Sequence, residues 1–185
     1  MNQEVEIQIK IEDPVAVEKE ILKFGSFVKE RDQIDQYYVL STRNFFDAEP
    51  PIEYLRVRRE NEKNHLNYSF LHFNNDGWLN CTDEYETIVE NPEIVEQIFN
   101  KIGLIPKIKV VKNRKYFRCG DFEVTLDRIE NLGDFMEIEA KKDFGEISAT
   151  RKACEDFLQK LNIEYELNKD AGYPRMLYKK IYKSN

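Results

Sequence analysis

The sequence predicts an α+β fold in which helices cover the apolar face of an antiparallel sheet. Segments of strict polar–apolar alternation recur along the 185 residues, and stretches of helical apolar spacing separate them. Twelve Phe and 10 Tyr against only 7 Gly favour a strand-rich body over long loops. The length suits one sizeable core and no break in composition divides the chain, so residues 1–185 read as a single domain.

The first strand is EVEIQIKI, where Val5, Ile7, Ile9 and Ile11 alternate with Glu4, Glu6, Gln8 and Lys10. It ends near the turn-like Glu12-Asp13-Pro14. The next stretch, VAVEKEILKFG, has helical spacing through Val17, Ile21, Leu22 and Phe24, with Gly25 as its stop. YLRVRR then alternates Leu55 and Val57 with Arg56 and Arg58. FNNDGW, within Phe73 to Thr82, reads as a loop or hairpin turn, and DEYETIVE sets Glu84, Glu86 and Ile88 on one side.

NPEIVEQIFNKIG is the best-signalled helix: Asn91 caps it, Pro92 fits the first turn, and Val95, Ile98, Phe99 and Ile102 make its apolar stripe. FEVTLD sets Phe122, Val124 and Leu126 against Glu123, Thr125 and Asp127, and FMEIEA sets Met136, Ile138 and Ala140 against Glu137 and Glu139. A third helix spans about Ser148 to Leu161, burying Ala153, Phe157 and Leu161. Asn168 to Tyr173 is irregular, and a short final element surrounds Arg175 to Ile181. Two weak halves are discernible, each opening with a charged strand, near Glu4 and near Lys112.

With 28 basic and 35 acidic residues the formal charge is -7, which weighs against a general nucleic-acid binder yet permits a local basic cavity. No apolar run approaches the roughly 20 residues that span a bilayer. Cys81, Cys119 and Cys154 form no CxxC, so neither a disulfide framework nor a zinc site is expected, and no apolar leader precedes the first strand. These features together suggest a reduced, cytoplasmic protein. His65 and His72 lie seven residues apart without a metal-ligand pattern, and surface or structural roles suit them better than catalysis.

The polar face of any one strand is most simply explained by contact with water. The whole set is harder to explain that way. Glu4, Glu6, Glu84, Glu86, Asp127, Glu137 and Glu139 alternate with apolar residues on separate strands, and Arg56, Arg58, Lys112 and Arg114 supply the opposite charge in the same register. If such a sheet curls closed, these groups line one lumen, where like charges repel unless opposite charges, water or metal ions compensate.

Taken in order, Glu4-Val5-Glu6, YLRVRRE at Tyr54 to Glu60, EYE at Glu84 to Glu86, KNRKYF at Lys112 to Phe117, Leu126-Asp127 and LGDFMEIE at Leu132 to Glu139 resemble the motifs of the CYTH superfamily of triphosphate tunnel metalloenzymes. IDQYY at Ile34 to Tyr38 and RNFF at Arg43 to Phe46 are similar to its class IV adenylate cyclase branch. The resemblance implies a closed antiparallel eight-stranded tunnel barrel with helices packed outside. It further implies divalent-metal-dependent processing of a triphosphate, with ATP converted to cyclic AMP and pyrophosphate as the leading reaction. Thiamine or inorganic triphosphatase activity, or a catalytically weakened phosphate-binding module, are the alternatives.

The resemblance assigns phosphate binding to Arg56, Arg58, Lys112 and Arg114, with Lys10 on the same side of the first strand. It assigns Mg2+ or Mn2+ to Glu4, Glu6, Glu137 and Glu139, and the positioning of charge to Glu84, Glu86 and Asp127. No side chain stands out as a catalytic base. Gln8, Ser69 and Thr82 stand where the family pattern has basic residues. The expected partner is an organic or inorganic triphosphate, with no nucleic acid and no membrane, and the resemblance leaves a homodimer open.

Overall fold

The computed structural model describes residues 3–61, 63–168, 170 and 172–183. In chain order the elements are β1 (Gln3–Glu4), β2 (Glu6–Ile11), α1 (Pro14–Ile21), β3 (Ser26–Leu40), β4 (Glu53–Glu60), β5 (Asn64–Phe73), β6 (Leu79–Val89) and α2 (Pro92–Lys101). There follow β7 (Leu104–Cys119), β8 (Phe122–Ile129), β9 (Gly133–Ala140), α3 (Ile147–Lys160), β10 (Glu166–Leu167) and α4 (Gly172–Tyr182). Ten strands in an antiparallel sheet with four α-helices make the fold α+β. The count exceeds the expected eight because β1 and β10 are separate segments of two residues each.

The chain forms two compact units, one of Met1–Gln3, Asp32–Val111 and Asp170–Asn185, the other of Glu4–Arg31 and Lys112–Lys169. The long strands β3 and β7 each contribute to both. The segments beginning near Glu4 and near Lys112, expected to open separate halves, fall together in the second unit.

In the first unit the order is β1-β6-β5-β4-β3. Asp35 faces Arg58 and Tyr37 faces Arg56 across β3 and β4, Arg56 faces Asn67, Asn67 faces Glu86, and Ser69 faces Glu84. Strand alternation therefore puts these polar groups on one face. Tyr38, Leu55, Val57 and Leu66 occupy the other, packed with Phe99 and Val95 of α2 and with Leu104. Asn91 caps α2, its side-chain oxygen accepting from Ile94 N at 3.0 Å. The expected stripe on α2 is narrower than its spacing suggests. Ile98 and Ile102 are 52% and 64% exposed, because this ten-residue helix meets the sheet along Val95 and Phe99 and ends before Ile102, its C-cap.

Asn74 closes the β5–β6 hairpin by accepting from Asp76 N and Trp78 N at 3.0 and 2.9 Å. Phe73 and Leu79 to Thr82 are consequently strand, not loop. The final element is longer than expected, a helix from Gly172 to Tyr182.

In the second unit the order is β7-β8-β9-β2-β10. Ile7, Ile9 and Ile11 join Phe117, Val124, Leu126, Met136 and Ile138 in the main core, beneath Val17 and Ile21 of α1 and Cys154, Phe157 and Leu158 of α3. The buried face of α3 runs through Thr150, Cys154, Phe157 and Leu158, a three-and-four spacing that holds to one side of the helix. Ala153, expected inside, is half-buried because steps of four drift about 40° each around the axis.

Asp13 caps α1 by accepting from Val15 N and Ala16 N. The helix stops at Ile21, which leaves Leu22 and Phe24 47% and 43% exposed, contrary to the expected stripe. Gly25 then passes so close to β7 that a Cβ there would overlap the Arg118 carbonyl oxygen and Cys119 Sγ. Gly25→Ala is expected to destabilise the protein by about 2 kcal/mol, the range typical of overpacking. Urea unfolding would check this, and an unchanged midpoint would contradict the close approach.

All three cysteines are buried and unbridged. Among the described residues no helix is long and apolar enough to cross a membrane.

Candidate functional site

Each unit carries a polar face in which the expected residues meet partners. In the first, Asp35 is 1% exposed and holds Arg58 by a two-pronged bond, with Arg58 Nε to Oδ1 at 2.6 Å and Nη2 to Oδ2 at 2.8 Å. Arg56 is two residues along β4, so it lies on the same face. Its Nη1 is 3.5 Å from Asp35 Oδ2 and donates to the Tyr37 hydroxyl at 3.3 Å. Arg56 Nε is buried without an acceptor among the described residues. A buried guanidinium donor left unmatched costs free energy until an acceptor arrives.

Glu84 accepts from Asn67 Nδ2 at 3.1 Å, and the single Ser69 hydroxyl hydrogen lies between Asn67 Oδ1 at 2.8 Å and Glu84 Oε1 at 3.2 Å. Glu86 points to the exposed end of the face, 3.1 Å from His65 Nδ1. His72 Nε2 is 2.8 Å from Asp83 Oδ2. Thr82 stands opposite Leu71. Tyr37 and Tyr38, adjacent in sequence, diverge: Tyr37 is buried beside Arg56, and Tyr38 packs on Phe99 on the other side of the sheet.

In the second unit Arg114 is forked on Asp127, which is 2% exposed, and also donates to Glu137. Lys112 is buried on the same strand and the same face as Arg114. Gln8 faces Glu137 across β2 and β9 and donates to Glu137 Oε1 at 2.7 Å, while its own Oε1 accepts from Asn168 Nδ2. A continuous chain of polar contacts thus runs Asn168–Gln8–Glu137–Arg114–Asp127. Lys10 shares the face of Glu6 but is exposed at its end, opposite Phe135 and beside Glu166 of β10.

The four expected metal ligands lie on β1, β2 and β9. Glu6 faces Glu139 directly. Burial, reinforced by Glu137, Glu4 and Glu139, holds the Glu6 carboxyl well above the usual carboxylate range, against the lowering pull of Arg114. Burial also raises Glu139, although Lys141 Nζ donates to it at 2.5 Å. Among the described residues no three His, Cys, Asp or Glu side chains are drawn together tightly enough to hold a metal ion. The donor chemistry nonetheless fits one: these are hard carboxylate oxygens of the kind that Mg2+ and Mn2+ take, and a cation would relieve the crowding at Glu6.

A carboxyl whose value is raised in the folded state binds more protons folded than unfolded, so its contribution to stability falls as pH rises. Glu6→Gln is therefore expected to raise the melting temperature of the metal-free protein at neutral pH. The gain should vanish as pH falls below the unfolded glutamate range, near about 4.3. Calorimetry across pH checks this; a gain independent of pH would contradict it.

Asp35, Asn67, Lys141 and Asn168 complete the two faces and were not singled out by sequence reasoning. Asp35 alone had a local signal, its place inside IDQYY, where it alternates with Tyr37.

A family model, the CYTH domain, matches residues 2–172. A protein of Methanocaldococcus jannaschii, provisionally named an adenylate cyclase, is 31% identical over 157 residues, covering 84% of this chain and 86% of its own length. Among solved structures, the PH1819 protein of Pyrococcus horikoshii superposes with a TM-score of 0.77 at 24% identity, covering 95% of this chain and 99% of that one. A Hippeastrum protein, described as an adenylyl cyclase candidate with a dominant triphosphatase activity, superposes with a TM-score of 0.66 at 16% identity over 96% of this chain and 95% of that one. At these identities the structural matches speak to the fold.

Proposed function

Since the chain belongs to the CYTH domain family, we propose that it is a divalent-metal-dependent enzyme acting on an organic triphosphate, converting ATP to cyclic AMP and pyrophosphate. The observation that carries this reading is Arg56 Nε, a buried cationic donor without an acceptor on a face that already holds a second arginine. A phosphate oxygen supplies what it lacks. The name of the Methanocaldococcus jannaschii relative supports the cyclase reading.

In this reading residues 1–185 form a single domain of the family's eight-stranded tunnel type. Arg56, Lys112 and Arg114 bind the phosphate oxygens. Asp127 holds Arg114 in place, and Asp35 does the same for Arg58. Glu4, Glu6, Glu137 and Glu139 would hold Mg2+ or Mn2+, which would supply positive charge to the phosphates and lower the barrier to deprotonating the attacking hydroxyl. The fixed cations stabilise charge as it builds on the departing pyrophosphate. Buried, unbridged cysteines support a reducing compartment, the cytoplasm in our reading.

Triphosphate hydrolysis is the second reading. Tyr37 and Tyr54, the aromatic groups beside Arg56, are packed edge to face and buried, and offer little open surface to a nucleobase. Product analysis separates the two. Incubation with ATP and Mg2+ or Mn2+ should yield cyclic AMP with pyrophosphate; orthophosphate with ADP would favour hydrolysis. Lack of turnover across a panel that includes thiamine triphosphate and inorganic triphosphate, by folded and metal-loaded protein, would remove the enzyme reading.

A further inference from the structure

We infer that His65 is the catalytic base of the proposed reaction, held in place by Glu86 as its positioning residue: the imidazole takes the proton of the attacking oxygen. The inference rests on the triphosphate reading and adds to it the group that receives that proton.

Cross-strand pairing sets His65 among the charged groups of the first unit. It faces Arg58 of β4 and Ile88 of β6, so it lies on the same face as Arg56, Asn67, Glu84 and Glu86. Arg56 faces Asn67, two positions along β5 from His65, which makes Arg56 and His65 diagonal neighbours. Diagonal positions in an antiparallel pair lie roughly 7–8 Å apart, within reach of long side chains. A phosphate on Arg56 Nε therefore brings the groups attached to it into range of the imidazole. His72, the other histidine, has the opposite parity on β5 and is engaged with Asp83.

The His65 side chain is 19% exposed, and its Nδ1 lies 3.1 Å from Glu86 Oε1. The two are not aligned for a hydrogen bond, and Nδ1 is buried without a partner among the described residues. Catalytic contacts of this kind commonly tighten only when substrate is in place. With its proton on Nδ1 toward Glu86, the neutral ring presents the Nε2 lone pair, as a base must. The charged groups around the ring are Arg56, Arg58, Glu60, Glu84, Glu86 and Lys63, the last exposed at the turn before β5. Arg58 is forked on Asp35, Glu60 accepts from Gln33, and Glu84 accepts from Asn67. Glu86 is left to steady the imidazolium, and at 38% exposure it joins the ring to solvent.

In cyclisation the ribose 3′ oxygen forms a bond to the α phosphorus as the bond from that phosphorus to the bridging oxygen breaks. Pyrophosphate leaves with the electron pair, and the 3′ hydroxyl proton passes to His65 Nε2. In hydrolysis water attacks the terminal phosphorus, its proton goes to the same nitrogen, and the nucleoside diphosphate leaves with the electron pair.

Steady-state kinetics of the full chain with ATP and Mg2+ across pH test this, for the wild type and for His65→Gln, His65→Ala and Glu86→Gln. Each His65 variant should lose about 100-fold or more in kcat with little change in KM, the scale of one general base. The acid-side fall of wild-type kcat should be absent from His65→Gln, and free imidazole should restore part of the turnover of His65→Ala; a merely structural histidine would produce neither. Glu86→Gln should lose about tenfold in kcat, the scale of one charged hydrogen bond. A folded His65→Gln with wild-type kcat and an unchanged acid limb would overturn the inference, and Glu86→Gln with wild-type kcat would remove Glu86 as the positioning residue. Nitrogen NMR of the neutral wild-type imidazole stands even if the His65 variants fail to fold: the Nδ1–H tautomer is expected, and Nε2–H would overturn the base. No turnover of any triphosphate by folded, metal-loaded wild type would overturn the enzyme reading and the inference with it, an outcome distinct from the others, in all of which the wild type turns over.

Discussion

Asp35→Ala is expected to lower stability by about 3–5 kcal/mol, the cost of leaving a buried charge without its partner. Asp35 is almost fully enclosed, and both of its oxygens receive the Arg58 guanidinium. Removing the carboxylate takes from Arg58, itself 8% exposed, its two-pronged partner, and takes away the anion 3.5 Å from Arg56. Asp35→Asn keeps the shape and one acceptor but loses the charge, so it should fall between the two. Chemical unfolding of the three proteins checks the order. Alanine and wild type unfolding at the same midpoint would show that the fork contributes little.

Arg56→Ala should separate binding from stability. Its side chain is 16% exposed, its Nε has no acceptor, and its one described hydrogen bond goes to a neutral hydroxyl. Truncation leaves the Asp35–Arg58 pair intact, so the loss of stability should be well below that of Asp35→Ala. Affinity for a metal-loaded triphosphate should fall about 10- to 100-fold, corresponding to one charged hydrogen-bonding group. Arg58→Ala should lower both quantities, because that side chain anchors Asp35 as well as adding charge. If Arg56→Ala bound the ligand as tightly as wild type, Arg56 would not be a phosphate contact.

Much of this was legible because strand alternation assigns faces from sequence alone. Glu6 with Gln8, Arg56 with Arg58, and Glu137 with Glu139 share faces as their parity requires, and Val57 and Ile138 are buried on the opposite ones. Parity assigns a face but not a depth. Lys10 has the parity of Glu6 yet is exposed, because β2 reaches the end of its pairing with β9 there. Partners distant in the chain were equally hidden: Asn168 meets Gln8 across 160 positions, and Asp35 meets Arg58 across 23, through pairings that no local pattern encodes. The division into two units was invisible for a related reason, since β3 and β7 run through it as unbroken strands. Helix stripes were over-read where the helix was short: Ile98 and Leu22 follow the period yet lie beyond the line of contact with the sheet.

A crystal structure with Mn2+ and a non-hydrolysable ATP analogue tests the central claim most directly. The account predicts phosphate oxygens within hydrogen-bonding distance of Arg56 Nε in the first unit and of Lys112 and Arg114 in the second, with Mn2+ on carboxylates drawn from Glu4, Glu6, Glu137 and Glu139. An analogue bound elsewhere, with Arg56 Nε still lacking an acceptor, would contradict it.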